Sequence, residues 1–337
     1  MSKNMTRILI ETTIKNAIKQ IKDDPERSIR NVVDMALNFT NGRFQKHLLT
    51  AAQTMLKNEN SCYYKLIPDM VFNVDEKRII TFGMNIGYNS CTIGAKKIRE
   101  IEANEQYNIP WSISLKISGN EYIKHTAVYH SLIEQGMQMG VYTWNIHSHG
   151  ELHHILELAE TFPECAFPIF CSSEEISSAL LDDVNGINNI MFVIQYSDHI
   201  ENVCELLRSR KLLYSVSFTE QDMSCNDIEN ILSDTENMHS TFTIFMGSTE
   251  CTLEKRSNFY QYIQQTRMEQ KYRTIPFDRI HDNLFIDSII SDEACSIGFT
   301  QNGDCYSLND HTVHKNYNLF DCKLSEILSA IAPKKNF

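Results

Sequence analysis

Between residues 110 and 270 the chain switches repeatedly between short apolar runs and longer amphipathic stretches, a rhythm that few folds accommodate. Runs at 110–117, 141–146, 166–171, 190–196, 212–218 and 241–246 have the length of strands. Segments at 122–138, 174–184, 199–210, 225–237 and 253–270 place apolar residues three and four apart, which predicts helices. Strands and helices alternating with short connections form a parallel sheet, and strands buried on both faces read as nearly continuous apolar runs. A further strand is expected at 78–84 (RIITFGM), then a loop over 85–94 and a helix from Ala95. Six or more such units predict the α/β class, as a full or partial (β/α) barrel.

Two flanking regions break the rhythm. Residues 1–75 carry helical spacing throughout, with Pro25 at a helix start and a break at Asn41-Gly42. After about 275, NLFIDSIIS, ACSIGFT and DCYSL predict short strands, Asn302-Gly303 a hairpin turn, and LSEILSAIA a closing helix. The expected organisation is therefore a helical region at 1–75, a barrel at 76–275 and an extension at 276–337. A net charge of −12 argues against nucleic acid or an anionic membrane as partner. No segment approaches the ~20 apolar residues of a membrane helix, and the polar N-terminus does not resemble a signal peptide, so a cytoplasmic protein is expected. The ten cysteines form no CxxC pair and are expected to be free thiols.

The corner most charged with chemistry is His147-Ser148-His149-Gly150-Glu151, between the run at 141–146 and the helix that begins near Leu152. In parallel α/β proteins ligands bind at the carboxyl ends of strands. His147 and His149 could supply two ligands to a metal ion with Asp198 as a third, which would suit a metal-dependent hydrolase. Exposed histidines of a loop and helix explain the same residues. Gly87, Cys91 and Gly94 reproduce the spacing of a three-cysteine cluster loop, but one thiolate cannot hold a cubane that needs three or four. No G-x-S-x-G elbow or phosphate loop is present.

In chain order these pieces resemble the radical S-adenosylmethionine (radical SAM) superfamily over about residues 78–330. Gly87, Cys91 and Gly94 stand where that family has its CxxxCxxC loop, and His149-Gly150-Glu151 stands at its Gly-Gly-Glu motif. Cys171-Ser172-Ser173 occupies the turn after its third strand, and IMFVIQYSD is similar to its fourth. In the tail, Cys295, Gly298, Gly303, Tyr306 and Leu324 resemble the SPASM or twitch extension of peptide-modifying members. The resemblance implies a partial barrel of radical SAM type with S-adenosylmethionine as cofactor, contacted by Tyr88, Cys91, Gly150, Glu151, Ser172, Ser173 and Asp198. Asn85, His147, His149 and Gln195 would line the same cleft. Two of three cluster cysteines being glycine, it implies a protein without the usual [4Fe–4S] cluster that binds a small ligand or a peptide. The alternatives are an active peptide-modifying enzyme whose cluster is ligated by Cys91 with Cys62 or Cys171, and the hydrolase using His147 and His149.

Overall fold

A computed structural model describes residues 2–39, 50–219, 225–247 and 253–335. The Asn41-Gly42 break and the start of the helix expected after it lie outside the described residues. The chain divides into two compact units, one formed by the N-terminal segment to Met84 with Tyr196–Asp278, the other by Asn85–Gln195 with Arg279–Phe337.

The first unit begins with helices α1 (Ser2–Asp23), α2 (Pro25–Phe39), α3 (Tyr63–Asn73) and α4 (Glu76–Met84). The span 78–84, expected as a strand, belongs to α4. Asp75 explains the difference: its carboxylate accepts from the backbone N–H groups of Lys77 and Arg78, which caps a helix and fixes its start. The unit continues with α5 (Ile200–Ser209), β1 (Tyr214–Thr219), α6 (Cys225–Asn237), β2 (Phe242–Met246), α7 (Leu253–Glu269) and β3 (Ile275–Asp278). The three strands pair in parallel in that order. Sequence reading missed β3, because TIPFD carries too few apolar residues to stand out.

Asp69 of α3 fastens the helical segment to the strand-bearing part of this unit. It accepts from Arg208 Nη1 at 3.0 Å and Nη2 at 2.7 Å, and from His239 Nδ1 at 3.1 Å. Burial pushes the Asp69 carboxyl up, but Arg208 and His239 outweigh it and hold the group below the usual carboxylate range. A carboxyl with a depressed folded pKa stabilises above its unfolded value, and the contribution disappears as pH falls through the folded one. Asp69→Asn should therefore cost about 1–2 kcal/mol at pH 7 and much less near pH 3. Urea unfolding at both pH values checks this.

The second unit opens with a π-helix, Asn85–Gly94, where a loop was expected. Its wide turns carry side-chain bonds over five residues, Ser90 Oγ to the Asn85 carbonyl (3.0 Å) and Thr92 Oγ1 to the Gly87 carbonyl (2.9 Å). Then follow α8 (Ala95–Glu102), β4 (Ser112–Ile117), α9 (Gly119–Met139), β5 (Thr143–Ser148), α10 (Leu152–Thr161), β6 (Phe167–Cys171), a 3-10 turn (Ser173–Glu175), α11 (Ser178–Asp183) and β7 (Ile190–Gln195). The tail adds α12 (Arg279–Ile290), β8 (Ile297–Phe299), β9 (Asp304–Ser307), β10 (Val313–Asn318) and α13 (Leu324–Ile331). Strands β4 to β7 pair in parallel in sequence order. On the other side of β4 lies β8, parallel, and then the antiparallel hairpin of β8, β9 and β10. The hairpin expected at Asn302-Gly303 is present, with Gly303 at φ +83°. NLFIDSIIS belongs to α12 rather than to a strand: of the six buried residues of that helix four, Arg279, Asp282, Asn283 and Asp287, are polar, which hides the apolar period. Among the described residues no helix is long and apolar enough to cross a membrane.

Candidate functional site

Strands β4 and β5 alternate. Ile113, Leu115, Ile117, Trp144 and Ile146 are fully buried on one face. The residues between them are polar: Ser112, Ser114 and Lys116 on β4, and Thr143, Asn145 and His147 on β5. Register places Lys116 beside His147 and His147 beside Phe170 of β6. Ser114 lies beside Gly298 of β8, and Gly298 beside Tyr306 of β9. A Cβ on Gly298 would stand 2.5 Å from the Tyr306 ring and hydroxyl, so glycine is what lets that ring lie across β8.

Into this polar face reaches Arg279, the first residue of α12, only 7% exposed. Its Nη2 donates to Ser114 Oγ at 3.0 Å and to His147 Nε2 at 2.7 Å. Since guanidinium only donates, His147 Nε2 is the acceptor. The guanidinium lies 5.4 Å from the centre of the Phe170 ring, on which His147 stacks at 4.4 Å. The Lys116 ammonium stands 4.9 Å from the centre of the Tyr306 ring. Burial pushes the His147 pKa well below its ordinary value, and the positive charges of Arg279 and Lys116 push it the same way. Burial lowers Lys116 too, with Arg279 adding to the effect.

At the carboxyl end of β5, Glu175 ties two turns together. One carboxylate oxygen accepts from Ser148 Oγ and from the Gly150 N–H at 3.2 Å; the other accepts from the Ser172 N–H at 2.9 Å. The backbone of β4 and the turn after β5 close on one another: the His149 N–H donates to the Ile117 carbonyl and the Gly119 N–H to the Gly150 carbonyl. A Cβ on Gly119 would fall 2.4 Å from the Glu151 carbonyl oxygen. Glu151 itself, at φ +56°, starts α10 with an exposed side chain.

His147, His149, Gly150, Glu151, Ser172 and Ser173 thus gather at the carboxyl ends of β5 and β6, as expected. Tyr88, Cys91 and Asn85 do not join them. Ser90 Oγ meets Thr143 Oγ1 at the start of β5, at 2.8 Å, and Asn85 and Asn89 donate to the carbonyls of Pro163, Glu164 and Cys165 just before β6. The π-helix therefore sits at the amino ends of these strands, about 16 Å of extended chain from the Glu151 corner. Cys91 is buried there and its thiol is pushed up to about 12. Asp198 is exposed and belongs to the first unit, as do Gln195's successors from Tyr196 onward; Gln195 is exposed at the end of β7. The metal reading of His147 and His149 meets an obstacle, since Arg279 already occupies Nε2 of His147. Among the described residues no group of three His, Cys, Asp or Glu is placed to hold a metal ion. Sequence reading missed Arg279, Lys116 and Glu175. The alternation SISLKI and TWNIHS marked the first two strands, and Ser172-x-x-Glu175 is a capping-box pattern that marked Glu175.

Among solved structures the chain is similar to SuiB of Streptococcus suis. SuiB bound to S-adenosylmethionine matches with TM-score 0.51 and 9% identity, over 69% of this chain and 66% of that one. SuiB bound to its precursor peptide SuiA matches with TM-score 0.50 and 9% identity, over 69% and 67%. SuiB by itself matches with TM-score 0.50 and 10% identity, over 82% and 81%. The chain shares the fold of SuiB. In the complex with S-adenosylmethionine the match spans slightly less than two thirds of SuiB. No family model and no curated protein matches the sequence.

The first strand of the parallel run in the second unit is β4, and residues 78–84 are helical. From Ile117 the chain passes through Ser118 alone into α9, whose N-cap is the Ser118 side chain accepting from the Glu121 N–H. Of the described residues at the carboxyl ends of β4 to β7, only Cys171 carries a thiol, and burial pushes it well above the usual thiol range. Cys171 and Cys91 lie at opposite ends of the strands, and Cys62 belongs to the first unit. These residues do not fit a cubane, which needs three converging thiolates.

Proposed function

We propose that this radical SAM-fold protein binds a small ligand or a peptide at the carboxyl ends of β4 to β6 and does so without a [4Fe–4S] cluster. The observation that carries the reading is the direct passage from β4 through Ser118 into α9, which leaves no cysteine loop where the fold would hold one. The SuiB complexes with S-adenosylmethionine and with a precursor peptide supply the two ligand classes. The exposed Glu151 carboxylate suits the ammonium group of S-adenosylmethionine. Residues 1–75 and 276–337 act in this reading as extensions of a core at 76–275, the latter in the manner of a SPASM or twitch segment, in a cytoplasmic protein.

Two measurements test the reading. Iron and sulfide analysis after anaerobic reconstitution should find no stoichiometric cluster; one cubane per chain would overturn the proposal. Calorimetry with S-adenosylmethionine should show binding by the wild type, weakened about tenfold by Glu151→Ala, as loss of one charge-assisted contact predicts.

A further inference from the structure

The geometry points to a carboxylate-binding site made by Arg279 and Lys116 on the polar face of β4 and β5, a step that rests on reading the strand ends as a binding site. Arg279 is a nine-tenths-buried cation without an acid. Its polar partners are Ser114, His147 and the Tyr306 hydroxyl, none of them an acid; its Nε is buried with no acceptor, and none of the ion pairs of the described residues includes it. Lys116, partly exposed, has an aromatic ring and no carboxylate beside it. Burying a cation without an anion is costly, and hydrogen bonds to two hydroxyls and an imidazole offset that cost only in part. On the strand-end turns, Glu175 already accepts from Ser148, Gly150 and Ser172.

The class of anion follows from the donors that remain. Phosphate sites usually draw on several free backbone N–H groups. Here those of Gly119, His149, Gly150 and Ser172 are already bonded to protein oxygens. What is left is two side-chain cations flanked by the rings of Phe170 and Tyr306, a set matched to two oxygens on an otherwise apolar group. A carboxylate has that form, whether carried by a free small acid or by an acidic side chain of a peptide.

The test is titration of the folded full chain at constant ionic strength, followed through the arginine Nε–H resonances by NMR. The probes are acetate, an end-capped peptide with one glutamate, its glutamine twin, inorganic phosphate and chloride. One arginine resonance, assigned by its loss in Arg279→Lys, should move saturably with acetate or the glutamate peptide, with Kd on the order of 1–10 mM for acetate. Lys116→Met, which replaces a partly exposed chain by one of similar length, should weaken that binding at least tenfold. Tighter binding of the glutamate peptide than of acetate assigns the carboxylate to a peptide; equal binding assigns it to a small acid. No saturable shift, an unchanged titration in Lys116→Met, or tighter phosphate binding overturns the proposal. Backbone resonances of Gly150 and Ser172 separate the two levels. If S-adenosylmethionine moves them while carboxylates leave Arg279 unmoved, the strand-end site stands and the carboxylate assignment fails. If nothing moves either, both fail.

Discussion

Gly94→Cys should destabilise the protein and create no cluster, although it returns a cysteine to one position of the CxxxCxxC spacing. A Cβ on Gly94 would stand 2.2 Å from the Gly140 carbonyl oxygen and 2.9 Å from that of Asn89. Gly140, at φ +105°, would in turn place a Cβ 2.6 Å from the Gly94 carbonyl oxygen. Two glycine backbones therefore touch where α8 begins and α9 ends, and neither obstacle is a side chain that can swing aside. The expected cost of Gly94→Ala, the mildest such change, is on the order of 3 kcal/mol, a large share of the 5–15 kcal/mol of a typical domain. Gly87 supplies the contrast. Nothing lies within 4 Å of its Cβ position, and its φ is not positive, so Gly87→Ala should be neutral or stabilising by about 0.5–1 kcal/mol. Urea unfolding of the two alanine variants checks the pair. Anaerobic iron analysis of Gly87→Cys/Gly94→Cys checks the chemistry. Equal stability of Gly94→Ala and wild type, or one cubane in the double variant, would show that this segment was misjudged.

The same glycines show how legible the chain was. The alternation between 110 and 270 predicted the strands and helices well, because apolar runs at strand length and amphipathic periods are backbone-scale signals. His149, Gly150, Glu151, Ser172 and Ser173 were correctly gathered, since each follows an apolar strand directly. The spacing of Gly87, Cys91 and Gly94 misled, because RIITFGM is apolar enough for a strand while Asp75 caps it as a helix. That shifted the start of the parallel run by one element and carried Tyr88 and Cys91 to the wrong end of the strands. Arg279 was illegible for a different reason. It stands more than 100 residues from the strands whose polar face it enters, and no local period marks a side chain that acts through tertiary contact.

Asp287 should give the protein a stability that falls as pH rises from 5 to 8. It is fully buried on α12, where Oδ1 accepts from the Trp111 N–H at 2.8 Å and Oδ2 from Ser296 Oγ, with the Cys295 N–H as a further donor. These bonds tie the entry to β4 and the entry to β8 to one helix. Burial raises the Asp287 pKa to about 7 despite the three donors, and buried Glu102 adds to the rise. A carboxyl whose folded pKa lies above its unfolded value contributes in full below the unfolded value. That contribution is lost as pH rises through about 7. Asp287→Ala leaves Trp111, Ser296 and Cys295 without their acceptor, at a cost of about 3–5 kcal/mol near pH 5. Because the wild type itself loses stability toward pH 8, the difference between the two proteins should shrink there by a few kcal/mol. Urea unfolding of both proteins from pH 5 to pH 8 reads this directly. A difference that stays constant or grows with pH would mean that the Asp287 carboxyl is ionised throughout, and that its bonds to Trp111, Ser296 and Cys295 outweigh its burial.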